Sequence, residues 1–106
     1  MEKLFVVIRN DLDPGLQLAQ GIHAAIKYVL ENEGARRWHE DSNNLAVLQV
    51  PDERSLGLLV HSALSEDFVV AQFHEPDLDG SLTAAAFEFG AKSLLGSLPL
   101  ALRSLV

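Results

Sequence analysis

Leu4-Phe5-Val6-Val7-Ile8 is an unbroken run of apolar residues near the start of the chain, and it decides the class of fold. A strand that is apolar at every position is typical of a sheet covered on both faces, as in α/β proteins. Turn-forming residues follow at 10–15, where Asp13 is a candidate N-cap and Pro14 occupies the first helical position. The segment therefore predicts a buried strand that leads directly into a helix.

The predicted helix covers about residues 14–32 and carries two rows of side chains at helical spacing. The apolar row is expected to face the core and consists of Leu18, Ile22, Ile26, Val29 and Leu30. The second row is polar and consists of Gln20, His23, Lys27 and Glu31. Gly34 is expected to end the helix in a left-handed conformation.

The rest of the chain alternates between strand and helix patterns. Residues 45–50 and 68–73 read as strands, and the helix between them starts near Pro51 with its core face at Leu56, Leu59, Val60 and Ala63. Short helices are expected at 35–41 and 90–97, whereas 82–89 fits either helix or strand. This order predicts one α/β domain over residues 1–106, with a mixed sheet and helices on both faces.

Composition excludes several classes of function. The chain has 106 residues and no cysteine, so thiolate catalysis, disulfides and cysteine-ligated metals are excluded. Its formal charge of −7 disfavours nonspecific electrostatic binding to nucleic acid. No apolar run approaches the roughly 20 residues that span a bilayer, and no leader segment is recognisable. We expect a soluble cytoplasmic protein without membrane association.

Two features could carry chemistry. The acidic loop runs from Glu75 through Asp77 and Asp79 to Gly80 and partly imitates a calcium loop, but the twelfth position is Ala86 and cannot supply the carboxylate. It is either a solvated turn or a set of carboxylates presented at a strand end. The polar helix row either faces water or lines a cleft.

The segment Arg36-Arg37-Trp38 combines two cations with an aromatic ring. Such a set can grip a phosphate or stack on a base. Alternatively, Trp38 caps the core and both arginines face solvent. Of the four histidines, His39 and His74 have no partner at ligand spacing. His61 is expected to be solvated or to cap its helix, and His23 belongs to the polar row of the first helix, so no metal site is expected.

Several motifs together carry a resemblance to a family. Val6 to Leu12, followed by Gly15, Ala19-Gln20 and His23-Ala24-Ala25, resembles the opening of the type II peptidyl-tRNA hydrolases. Residues 45–53 and the next helix look like the second strand and helix of that family. Asp79-Gly80-Ser81-Leu82-Thr83 is similar to its Asp-Ala-Gly-Arg-Thr loop. The resemblance covers about residues 3–90 and is closest to a bacterial, hydrolase-like branch.

The resemblance implies a three-layer α/β/α sandwich with a four-stranded mixed sheet, often dimeric. It implies hydrolysis of the ester between a peptide and tRNA, without a metal or cofactor. Candidate catalytic residues are Asp79, Thr83, His23, Gln20 and Asp77. Candidate substrate-binding residues are Asn10, Asp11, Lys27, Arg36 and Arg37. The chain departs from the family at two cationic positions, with Leu16 in place of the catalytic lysine and Leu82 in place of the loop arginine.

Two hypotheses follow from these residues. In the first, the chain is a hydrolase of weak or altered activity: Asp79 or Asp77 positions water, Thr83 and Gln20 donate hydrogen bonds, and His23 or Lys27 replaces the missing cation. Its tRNA partner would bind weakly because of the acidic charge. In the second, the chain is an inactive interaction module that acts as a homodimer or on a protein partner. Its contact would be the apolar tail, with Leu100, Leu102, Leu105 and Val106.

Overall fold

The computed structural model describes residues 2–103. The strands are β1 (Lys3–Arg9), β2 (Asn44–Val50), β3 (Val70–Glu75) and β4 (Ser81–Phe87). The helices are α1 (Pro14–Glu31), α2 (Gly34–Asp41), α3 (Glu53–Ser65) and α4 (Lys92–Leu95), and short 3₁₀ turns occupy Pro76–Leu78 and Phe89–Ala91.

The four strands form one mixed sheet in the order β2-β1-β4-β3. β1 pairs in parallel with β2 and antiparallel with β4, and β3 pairs antiparallel with β4. In β1, Phe5 and Val7 pack in a core with α3 and α4, whereas Leu4, Val6 and Ile8 pack in a second core with α1 and α2. The predicted α/β class, with its mixed sheet and helices on both faces, is confirmed.

The ambiguous segment 82–89 is a strand as far as Phe87, and Phe89 begins a 3₁₀ turn. It supplies Ala84, Ala85 and Ala86 to β4, and all three are fully buried. β4 lies between β1 and β3, so its backbone groups pair on both sides, and this tertiary pairing overrides the helix propensity of alanine.

The predicted core face of α1 is wrong. The helix buries Gln17, Gln20, Gly21, Ala24 and Tyr28 instead. The sheet beneath α1 is lined by small side chains of β4, and a Cβ on Gly21 would come within 3.2 Å of the Ile8 side chain. Because the helix lies this close, the small residues Gly21 and Ala24 occupy the middle of the buried face, between Gln17, Gln20 and Tyr28. The bulky apolar row is left on the surface, between 45% and 80% exposed.

Several helices and strands also begin or end at residues other than those predicted. α1 ends at Glu31, where the Asn32 side chain donates to the Tyr28 carbonyl, and Gly34 starts α2 rather than adopting a left-handed cap. β3 starts at Val70 because the Phe68 N–H bonds back to Ala63 at the end of α3. The helix expected at 90–97 shortens to the 3₁₀ turn Phe89–Ala91 and α4.

The C-terminal segment lies against the outer edge of β2. The Ala101 N–H donates to the Val47 carbonyl, and the Gln49 N–H donates to the Pro99 carbonyl. This pairing covers part of an edge strand that would otherwise be open. Of the predicted apolar tail, Leu100 and Leu102 are exposed at 53% and 43%, and Leu105 and Val106 lie outside the described residues. No helix within residues 2–103 is long and apolar enough to span a bilayer.

Candidate active site

The sheet brings three segments to one edge. β4 runs antiparallel to β1, so Ser81 lies near the end of β1 and opposite Glu75, the last residue of β3. α1 begins at this same edge because a turn at residues 10–13 connects it to β1. The edge therefore combines the first half of α1 with the acidic loop between β3 and β4.

A buried chain of hydrogen bonds joins α1 to the end of β3. The Thr83 hydroxyl donates to Gln20 Oε1 at 2.6 Å, and Gln20 Nε2 donates to Glu75 Oε1 at 2.9 Å. Thr83 is fully buried and Gln20 is 1% exposed, so neither reaches solvent. Because the Thr83 hydroxyl donates to the amide oxygen, it fixes the amide nitrogen towards Glu75.

Glu75, the last residue of β3, carries an oriented and ionised carboxylate. The hydrogen bond from Gln20, followed by the one from the Asp77 N–H at 3.3 Å, holds the pKa of the Glu75 carboxyl below its usual range. The charge of His23 lowers the pKa of Glu75 further. The charge on Glu75 is therefore maintained throughout the neutral pH range.

An open groove of about 450 Å³ lies between α1 and β3 and extends as far as His74, the residue before Glu75. His23 is an exposed lining residue and stacks on Phe73, with ring centroids 4.5 Å apart. Lys27 lines the groove and pairs with Glu31 at 3.3 Å, and His74 lines the opposite wall. The groove thus combines the Phe73 ring with two imidazoles, those of His23 and His74.

Arg9 connects β1 to the start of β4. Its guanidinium forms an ion pair with Asp11 at 2.9 Å and donates to the Leu82 carbonyl at 3.1 Å. The hydrogen bond from Arg9 holds the pKa of Asp11 below its usual range. The positive charge of Arg9 is therefore neutralised by Asp11 within the protein. Glu53 adds a second tie, because its carboxylate accepts from the Leu82 N–H at 2.7 Å.

The structure brings some of the predicted residues together and separates others. Gln20, Thr83 and His23 lie at one edge, with Asp77 and Asp79 on the adjoining loop, both exposed. Asn10 and Asp11 lie in the turn between β1 and α1 at this same edge, whereas Lys27 lies further along α1, in the groove. Arg36 and Arg37 lie on α2, whose Trp38 indole bonds to Asn44 at the opposite end of the sheet. Both arginines face solvent and pair with Glu40 and Asp41, and Trp38 packs against the core.

Sequence reasoning did not select Glu75 as a site residue. The sequence offered one signal, the position of Glu75 at the end of a strand directly before Pro76. What distinguishes this carboxylate from the other acidic groups of the loop is the hydrogen bond from Gln20 on α1. Leu16, at the position of the family lysine, is half-buried and adds no charge. Among residues 2–103, no cluster of three His, Asp or Glu side chains could hold a metal ion.

Comparison with known proteins agrees with this architecture. The family model for peptidyl-tRNA hydrolase PTH2 matches residues 2–102. No curated protein matches the sequence. A solved structure of a protein of unknown function, Atu0240 from Agrobacterium tumefaciens strain C58, superposes with a TM-score of 0.64 at 12% identity, covering 93% of this chain and 96% of that one. At 12% identity the superposition supports a shared fold and nothing further. The family model, in contrast, matches nearly the whole sequence. The chain belongs to the peptidyl-tRNA hydrolase PTH2 family.

Proposed function

We propose that the chain hydrolyses the ester between an acyl or peptidyl group and the 3′ end of tRNA in the cytoplasm, using Glu75 to position water. The observation that carries this proposal is the ionised Glu75 carboxylate, fixed by Gln20 and the Asp77 N–H beside an accessible imidazole. Family membership supplies the reaction class.

The chemistry needs a water molecule, a path for its proton and a stabilised oxyanion. Glu75 accepts a hydrogen bond from the water and orients its lone pair towards the ester carbonyl. The water oxygen bonds to the carbonyl carbon, and the tetrahedral intermediate collapses with release of the 3′ oxygen. His23 takes the proton from the water and returns it to that oxygen, which leaves a carboxylic acid and a free 3′ hydroxyl.

Thr83 and Gln20 are positioning residues in this proposal. Both are buried, so they act on the substrate only through the orientation of Glu75. Asp77 and Asp79 have exposed carboxylates on the adjoining loop and are the competing candidates for the water-positioning role.

The site lacks the cation that would stabilise the oxyanion. Leu16 occupies the lysine position, Lys27 is paired with Glu31, and Arg9 is paired with Asp11. We therefore expect a slow enzyme, since loss of one oxyanion donor alone costs about 10²–10³ in kcat.

The direct experiment measures release of tRNA from N-acetyl-aminoacyl-tRNA by the whole chain. Glu75→Gln should lower the rate by about 10² or more, because an amide accepts the water's hydrogen bond poorly. Glu66→Gln is the matched control, with the same charge change on an exposed residue beyond α3, and should keep the native rate. Absence of any release by the native chain contradicts hydrolysis. A larger loss in Asp79→Asn than in Glu75→Gln transfers the role to Asp79.

Salt dependence tests whether tRNA is the substrate. Acidic side chains around the site repel phosphate, so screening should raise kcat/KM as salt increases from low concentration. A protein that held tRNA through a basic patch would instead lose affinity steeply with salt. A steep fall in kcat/KM therefore contradicts this picture of the site.

The second candidate function is an interaction module that assembles as a homodimer through α1. The observation that favours it is the exposed apolar row of α1, continuous with Leu45 on β2 and Leu102 in the C-terminal segment. From the exposed fractions of its residues, this apolar surface covers roughly 600 Å². That area is the upper limit of the largest apolar patch on a typical monomeric protein. A standard interface buries about 800 Å² per partner, so an isologous pairing of two α1 helices would cover it.

Oligomeric state decides this candidate. Ile22→Asp places a charge at the centre of the apolar row and should convert a dimer to a monomer in analytical ultracentrifugation. Leu58→Asp is the matched control, since Leu58 is comparably exposed (58% against 51%) but lies on α3. A monomeric native chain, or a dimer that survives Ile22→Asp, contradicts the α1 interface.

A further inference from the structure

A second cavity lies at the end of the sheet opposite to Glu75. It has a volume of about 300 Å³ and is bounded by the start of β1, the end of α1, the start of α2 and the segment that follows β4. Ligand sites commonly begin at this size. The cavity shares no lining residue with the groove between α1 and β3.

Tyr28 contributes a polar group that opens into the cavity. The residue is 8% exposed, and its hydroxyl has no hydrogen-bond partner in the protein among residues 2–103. Burial, followed by the nearby charges of Glu88 and Glu2, raises the pKa of the Tyr28 phenol. The neutral hydroxyl is therefore available to accept a hydrogen bond from a ligand in the cavity.

The charge of the cavity favours a cation. Three carboxylates line it, from Glu2, Glu33 and Glu88, against one ammonium group from Lys3. None of these four side chains forms an ion pair within the described part of the chain. The carboxylates are too far apart to converge on one metal ion, since no metal-binding cluster occurs among residues 2–103. A cation that contacts all three must therefore be extended.

Aromatic walls add a second attraction for an organic cation. Trp38 and Phe89 line the cavity, and the Trp38 ring is fixed because its N–H donates to the Asn44 carbonyl at 2.7 Å. Aromatic faces attract ammonium groups and also contact the methylene chain of an amine. We propose that this cavity binds a small organic amine, a chain of a few carbons with one or two ammonium groups, held by Glu88, the Tyr28 hydroxyl and Trp38.

The probe for this proposal is 1,5-diaminopentane, measured by calorimetry and by amide chemical shifts of the native chain. Saturable one-to-one binding is expected, with shifts concentrated at Tyr28, Glu88 and Phe89. Pentane-1,5-diol should not bind, and magnesium chloride at equal ionic strength should not reproduce the shifts. Absence of saturable binding, or equal shifts with magnesium, overturns the proposal.

Two conservative variants locate the site. Glu88→Gln keeps an oxygen that can accept from the Val69 N–H but removes the charge, and Tyr28→Phe keeps the ring but removes the unpartnered hydroxyl. Each should weaken binding by roughly 3- to 10-fold without unfolding the chain, which circular dichroism checks. Glu66→Gln should bind like the native chain. Native affinity in either cavity variant, or equal weakening in Glu66→Gln, overturns the assignment.

Discussion

Thr83→Val removes one hydroxyl from the buried centre of the site while keeping the shape of the side chain. In the native chain this hydroxyl donates to Gln20 Oε1 at 2.6 Å, and both side chains are shielded from water. The valine leaves the amide oxygen buried without a donor, which costs about 1–3 kcal/mol. For a domain of this length that corresponds to a fall in Tm of about 5–15 °C.

Urea unfolding followed by circular dichroism measures the cost. The matched control is Ser65→Ala, whose hydroxyl donates to the His61 carbonyl at 2.8 Å on an exposed part of α3, and it should change the free energy of unfolding by less than about 0.5 kcal/mol. Combining Thr83→Val with Gln20→Leu removes both buried partners, so the pair should cost less than the sum of the single changes. Additive costs, or a Thr83→Val chain as stable as Ser65→Ala, would refute the buried bond.

The close approach of α1 to the sheet gives another prediction: Gly21→Leu should destabilise the chain by about 1–3 kcal/mol because its side chain meets Ile8, whereas Gly57→Leu, in open space on α3, should not, as urea unfolding would reveal. The Asp11 pair predicts a dependence on pH. Its folded-state pKa is lowered by Arg9, so its contribution is present above about pH 4 and is lost as pH falls through the folded-state pKa. In Asp11→Asn the free energy of unfolding should fall less steeply with decreasing pH below about pH 4 than in the native chain. The same pH dependence in both chains would show that the ion pair contributes nothing to stability.

The fold was predictable because its main signals are local. The apolar run in β1, Pro14 at the first position of α1 and the Asp52 cap of α3 are such signals, whereas the Asp13 side chain, the predicted cap of α1, makes no cap hydrogen bond. The core face of α1 was not predictable from its pattern. Helical periodicity shows that one face is apolar, but it does not say what covers that face. The decisive factor was the close approach of Gly21 to Ile8 and Val6 of β1, which no local pattern in α1 reveals.

The candidate site was predictable in part for a similar reason. The family motifs point to Gln20 and Thr83, and the structure joins them by a hydrogen bond. Glu75 lies 55 positions from Gln20 in the sequence, so nothing local indicates that its carboxylate receives the amide. Burial also changes the roles, because Thr83 and Gln20 cannot touch a substrate that remains outside the core.

The most direct test of the account is a pH titration of the Glu75 carboxyl carbon by nuclear magnetic resonance, in the native chain and in Gln20→Leu. The structure predicts a native pKa below the usual glutamate range, with Gln20 as the largest cause, and a rise towards that range once the amide is removed. An ordinary pKa in the native chain, or the same value in both chains, would show that α1 does not hold this carboxylate.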